Sequence, residues 1–121
     1  MENYVTVRHK NIFLTRKIKV CDGILSRTLG LMFRLRLASD EGILLVANNE
    51  SIAQTSIHSF FVFFPFDVFW INEEKKVVDK KRVYPFSLFL SPKAPAKYVL
   101  EMGLGQLEKV ELGEKVSFNH I

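Results

Sequence analysis

His58 and Asp67 are the only ionisable residues in the stretch "SIHSFFVFFPFDVFWI", Ser56–Ile71, which also holds six of the chain's eleven phenylalanines and its only tryptophan. A histidine and a carboxylate in greasy surroundings can do three things. The carboxylate can orient the imidazole as a general base. The two can line a polar spot in an apolar ligand pocket. Or each can be a buried polar group satisfied by structural partners. As extended chain, His58, Phe60, Val62 and Phe64 share one face before Pro65, and Phe66, Val68 and Trp70 oppose Asp67, Phe69 and Ile71 after it. Both faces are apolar, so the stretch is expected to be covered on both sides. Proline donates no ladder hydrogen bond, so two strands bent near Pro65 are expected, a bend that would bring His58 and Asp67 together.

Other chemistries lack their residues. No HxH, HxxxH or CxxC spacing occurs, and a single cysteine, Cys21, cannot anchor a zinc site or form an intrachain disulfide. GxGxxG, GxxxxGK[ST] and GxSxG are absent. Ser59 neighbours His58, but adjacent strand residues point to opposite faces and make no nucleophile–base pair. No metal and no cofactor are expected.

The elements that must position His58 and Asp67 read as mostly β. "ENYVTVR", 2–8, and "IFLTRKIKVC", 12–21, alternate with period two around a turn at Asn11. Asp22 offers an N-cap, and Ile24, Leu25, Leu29, Met32 and Phe33 follow at helical spacing, predicting one main α-helix over about 23–33. "ILLV", 43–46, is a short buried strand and "ANNESIAQTS" a polar loop. After the Phe-rich run come a turn at "NEEK", a strand at "KVVDKKRVY", a proline-rich irregular loop, a strand at "YVLEM", a single helical turn in "GLGQLEKVEL", and a closing strand after Gly113. Seven or eight strands and one helix do not alternate as in βαβ folds. A small antiparallel β-barrel or sandwich is expected.

The length of 121 residues fits a single domain, 1–121, able to bury a core. The Phe-rich run is shorter than the about 20 apolar residues that cross a bilayer, and Pro65 and Asp67 interrupt it, so no membrane span is expected. The N-terminus lacks an apolar leader segment, which with the lone cysteine predicts a soluble cytoplasmic protein. The net charge of +4, from 17 basic and 13 acidic residues, is mild. The main basic run, "EEKKVVDKKR", is mixed with acids, which argues against nucleic acid as a partner.

Four segments in order resemble one family. "SRTLGLMFR" is similar to its arginine-bearing helix and Gly-Leu-Met-x-Arg signature, and "EGILLV" to the Gly-hydrophobic strand that follows. "SIHSFFVFFPFDVFWI" resembles a central Ile-His, aromatics, Pro-x-Asp-Val segment, and "AKYVLEMGLGQLEKVELGEKV" the closing Val-Leu-Glu strand, glycine and final turn. The family is domain-of-unknown-function family 192, a bacterial and archaeal group, and the resemblance covers about residues 12–118. It implies a compact β-rich sandwich or barrel and importance for Arg27, Gly30, Leu31, Met32, Arg34, His58, Pro65, Asp67, Val68, Leu100, Glu101 and Gly113. It implies no reaction. Glu114 stands where the family usually has Asp, and Phe66 and Phe69 replace smaller aliphatics.

The signature set Arg34, His58, Asp67 and Glu101 supports a binding module: a polar pocket around His58 and Asp67 that takes a small anionic ligand, or a protein partner, with Arg34 holding the anion. An alternative is a hydrolase-like enzyme with His58 as general base oriented by Asp67, although no nucleophile or metal set accompanies the pair. A third reading is structural, with Arg34 or Arg27 neutralising Asp67 or Glu101 in the core.

Overall fold

The computed structural model describes residues 3–10, 12–21, 41–57, 62–87 and 89–120, with Asn3, 12–17 and His120 as backbone only. Their alternating and apolar runs form seven strands: β1 Asn3–His9, β2 Ile12–Cys21, β3 Glu41–Ser51, β4 Phe66–Ile71, β5 Val77–Val83, β6 Ala96–Met102 and β7 Ser117–His120. The strands make one sheet in the order β5-β4-β6-β3-β2-β1-β7, curled into a half-barrel. The chain is therefore mainly β, as expected. The helix expected over 23–33 lies outside the described residues. Among the described residues the only helical element is a 3₁₀ turn, Leu107–Lys109.

Neighbouring strands are antiparallel except β2 and β3, which run parallel. This departs from the all-antiparallel expectation. Local alternation marks a strand but does not say which neighbour it takes or in which sense. β3 is also longer than expected, because "ANNES" continues the strand as far as the Ser51–Ala96 pair.

The Phe-rich run divides at Pro65. After it, β4 lies between β5 and β6 with all six residues buried, so both faces are covered. Before it, residues 62–65 form no strand, and Ile57 makes only an isolated bridge to Leu90. Of the expected first strand of a bent pair, residues 62–64 are irregular chain packed on β4, and 58–61 lie outside the described residues.

Each sheet face has its own core. The inner face of the curl gathers Val5, Val7, Ile18, Leu44, Leu100, Met102, Phe69 and Ile71, capped by Val110 and Val116. Residues 113–116 help close the curl by bonding the start of β5: Val77 N–H donates to Glu114 O, and Gly113 N–H to Val77 O. Gly113 holds φ +87 there, a conformation that favours glycine. The outer face gathers Ile43, Leu45, Val99, Phe66, Val68 and Trp70 under Ile57, Val62 and, partly buried, Phe64 and Leu90. The Trp70 indole N–H donates to Thr55 O at 2.7 Å and fixes that covering segment.

Candidate functional site

Asp67 is the second residue of β4, and its side chain falls on the inner face, in line with Met102 of β6 and Arg82 of β5. It is 0% exposed and fully engaged. Oδ1 accepts from Arg82 Nε at 2.8 Å. Oδ2 accepts from Arg82 Nη2 at 3.3 Å and from the backbone N–H groups of Gly105 at 2.9 Å, Gln106 at 2.8 Å and Leu107 at 3.4 Å. Burial pushes the carboxyl up, but the Arg82 bond, the Gln106 amide, the Arg82 charge and the Leu107 amide outweigh it. The result is a pKa below the ordinary 3.8. Asp67 is a staple: it fastens the loop after β6 to the β4–β5 hairpin.

The partner expected for Asp67 was Arg34 or Arg27, but it is Arg82. The antiparallel β4–β5 register sets Arg82 directly opposite Asp67. The signal was available in "DVFWINEEKKVVDKKR", since folding that segment about its turn pairs the two. The "KKR" run instead reads as solvated charge until the hairpin is drawn.

Glu101 is on β6, and its side chain falls on the outer face, between Ile43 of β3 and Val68 of β4. One strand further on either side stand Lys19 and Lys81, each two strand spacings or roughly 10 Å from Glu101. Glu101 is 4% exposed, and its carboxyl has no hydrogen-bond or ion-pair partner among the described residues. Desolvation by burial raises its pKa from 4.5 to about 8. A shift in that direction favours the protonated acid, which has an O–H to donate.

The sheet therefore separates two of the four signature side chains. Asp67 and Glu101 lie on opposite faces and share no cavity. Arg34 and His58 lie outside the described residues, as do Arg27, Gly30, Leu31 and Met32. Among the described residues no group of three His, Cys, Asp or Glu side chains could hold a metal ion, and no helix is long and apolar enough to cross a membrane.

Two further signature positions have physical explanations. Gly42 sits on the inner face beside Ile18 and Met102, and a Cβ there would lie 2.1 Å from the Glu101 carbonyl oxygen, so only glycine fits. Glu114, next to Gly113, receives Glu111 N–H at 2.8 Å and lies 2.9 Å from Lys10 Nζ and 3.2 Å from His9 Nε2. The Glu111 amide and Lys10 bonds, reinforced by the Lys10 and His9 charges, hold its pKa at about 2 against the effect of burial. Glu114 thus ties the β1–β2 turn to the final turn, with no metal needed to explain it.

With this geometry the chain can be set beside known proteins. Residues 5–118 match the family described as "Uncharacterized ACR, COG1430", domain-of-unknown-function family 192. A UPF0127 protein of Pyrococcus abyssi is 32% identical over 111 residues, covering 90% of this chain and 92% of the relative. A UPF0127 protein of Thermococcus kodakarensis is 34% identical over 104 residues, covering 84% of this chain and 64% of the relative. In three dimensions the chain is similar to a crystal structure of a protein of unknown function from Novosphingobium aromaticivorans DSM 12444, with TM-score 0.82 and 21% identity, covering 94% of this chain and 83% of that one. That neighbour shares the fold. By the match over nearly all its length, the chain belongs to domain-of-unknown-function family 192.

Proposed function

We propose that this chain is a small-ligand-binding β-module whose site lies on the outer face of the sheet at Glu101, with Arg34 and His58 as its other polar members. The observation that carries this reading is Glu101: a carboxyl buried among apolar side chains with no partner among the described residues. Leaving a polar group in that condition costs free energy, and a ligand supplying the missing acceptor would recover it. His58 is assigned to the site in this reading because the described residues that flank its segment, Ile57 and Val62, both pack on the outer face. The chemistry favours a small anion, carboxylate or phosphate: a protonated Glu101 donates to it and Arg34 neutralises it bidentately.

Asp67 leaves the site in this reading. It is fully buried on the inner face, held by Arg82 and by three backbone amides, on the opposite side of the sheet from Glu101. The hydrolase alternative, His58 as base and Asp67 as its orienter, loses that support. The structural reading applies to Asp67, with Arg82 as its counter-ion.

Thermal unfolding in the presence of inorganic phosphate, acetate and succinate tests the proposal. Saturation at 100 times Kd stabilises the fold by about 2.7 kcal/mol. At least one anion is expected to raise Tm, and Arg34→Gln, His58→Gln and Glu101→Leu, which has no donor, to remove the rise while Asp67→Asn leaves it. An anion shift untouched by Glu101→Leu would refute the site.

A further inference from the structure

Large aromatic side chains normally pack inside, yet Phe63, Tyr84, Phe86 and Phe89 are each between 52% and 73% exposed. They sit on two segments, the chain before β4 and the loop after β5. The Ile57–Leu90 bridge ties the two together, with both N–H···O bonds at 2.8 Å. The Phe63 and Phe86 rings meet edge to face, 5.9 Å between centroids and 73° apart. Phe86 holds φ +63, a left-handed conformation that costs a bulky residue roughly 1–3 kcal/mol. Nothing in the core repays that cost, because the ring it directs lies in solvent. Four such side chains on one pair of tied loops make an interaction surface, not scattered exposure.

The surrounding charge selects the partner. No acidic residue occurs between Glu50 and Asp67 or between Asp79 and Glu101, so neither ring-bearing segment carries one. Lys80, Lys81 and Arg82 lie just before Tyr84, separated from it by Val83, and Lys93 comes three residues after Leu90. Lys80 donates to the carbonyls of Leu107 and Val110, and Arg82 holds Asp67 and lies 3.8 Å from Glu108. Lys81 and Lys93 are exposed and have no ion-pair partner among the described residues. Rings with free lysines beside them are the composition of a peripheral membrane anchor, in which aromatics enter the acyl boundary and lysines sit over anionic headgroups. Single-stranded nucleic acid wants ring faces lining a groove; here the rings stand on loops and cover one another edge to face.

We propose that the edge formed by Phe63, Tyr84, Phe86 and Phe89, flanked by Lys81 and Lys93, docks on the surface of an anionic lipid bilayer. The proposal is independent of the Glu101 site. Co-sedimentation of the purified chain with vesicles of phosphatidylcholine, and of phosphatidylcholine mixed with phosphatidylglycerol, tests it. Binding to the mixed vesicles is expected to fall with added salt and to exceed binding to the neutral ones. The exposed double variant Phe63→Ser/Phe89→Ser should keep the wild-type melting curve and lose at least about tenfold in vesicle affinity. Lys81→Gln/Lys93→Gln should lose about fivefold per lysine. No sedimentation with the mixed vesicles overturns the proposal, and so does wild-type affinity in the phenylalanine variant. An oligothymidine that binds more tightly than the vesicles, and is lost in the same variants, overturns it in favour of nucleic acid.

Discussion

Replacing Glu101 by glutamine should stabilise the protein, by an amount that depends on pH in a defined way. Burial raises the folded-state pKa from the ordinary 4.5 to about 8. Below the lower value both folded and unfolded chains hold the proton, and the wild type has its full stability. Between the two values the unfolded chain has released the proton while the folded chain keeps it. Stability therefore falls by about 1.4 kcal/mol per pH unit as pH rises. Across that window the loss sums to roughly 5 kcal/mol, of which roughly 3 kcal/mol is already incurred at pH 7. Glutamine has nearly the shape of the protonated acid and never ionises, so the variant should keep its low-pH stability throughout.

Urea unfolding followed by the fluorescence of Trp70, the only tryptophan and fully buried, reads this directly. With m near 1–3 kcal/mol/M, the variant's midpoint at pH 7 should lie about 1–3 M above that of the wild type. The variant-minus-wild-type difference should be near zero at pH 4 and largest above pH 8. Parallel stability curves, or a variant weaker than wild type at pH 7, would refute the argument, since either means that Glu101 is ionised and paired in the fold. The same result would remove the protonated carboxyl on which the proposed ligand site rests.

Three other substitutions probe the frame around that site. Asp67→Asn should cost roughly 3–5 kcal/mol in the same urea assay, because an amide nitrogen would face either Arg82 or the amides at 105–107, all of them donors. Arg82→Gln should cost less, since the three amides remain, and a melt unchanged by Asp67→Asn would sink the staple. Gly42→Ala should cost roughly 3 kcal/mol, because its methyl group would meet the Glu101 carbonyl oxygen and β3 would have to move off β6; a cost within error of zero would show that the strands separate freely there.

Much of this was legible in the chain. Period-two alternation marks β1, β2 and β5, and Pro65 marks where β4 can begin. The double apolar pattern of Phe66–Ile71 says that both faces are covered, and they are. What alternation cannot supply is the partner of each strand and the direction of the pairing. The parallel β2–β3 pair, the extra length of β3 and the choice of Arg82 as counter-ion are all decided by contacts between distant segments.

The fate of the expected pocket turns on one such decision. Asp67 and Glu101 each sit in an apolar strand, and nothing local tells which face either will take. In the sheet, Asp67 pairs with Met102 and Val68 with Glu101. Sliding β6 by one residue would set the two carboxyls side by side, the shared cavity that the signature residues suggested. The slide is blocked twice. It would exchange Glu101 with the buried Leu100 and Met102 between the two faces, carrying an ionisable group into the inner core. It would also take the Glu101 carbonyl away from Gly42, the one position on β3 without a Cβ to clash with it. A missing side chain on β3 and an apolar pattern on β6 thus fix the register, and the register places Glu101 on the outer face, away from Asp67. The sheet in this way divides the family's two carboxyls between separate tasks: Asp67 fastens a loop, and Glu101 is left with a proton to donate.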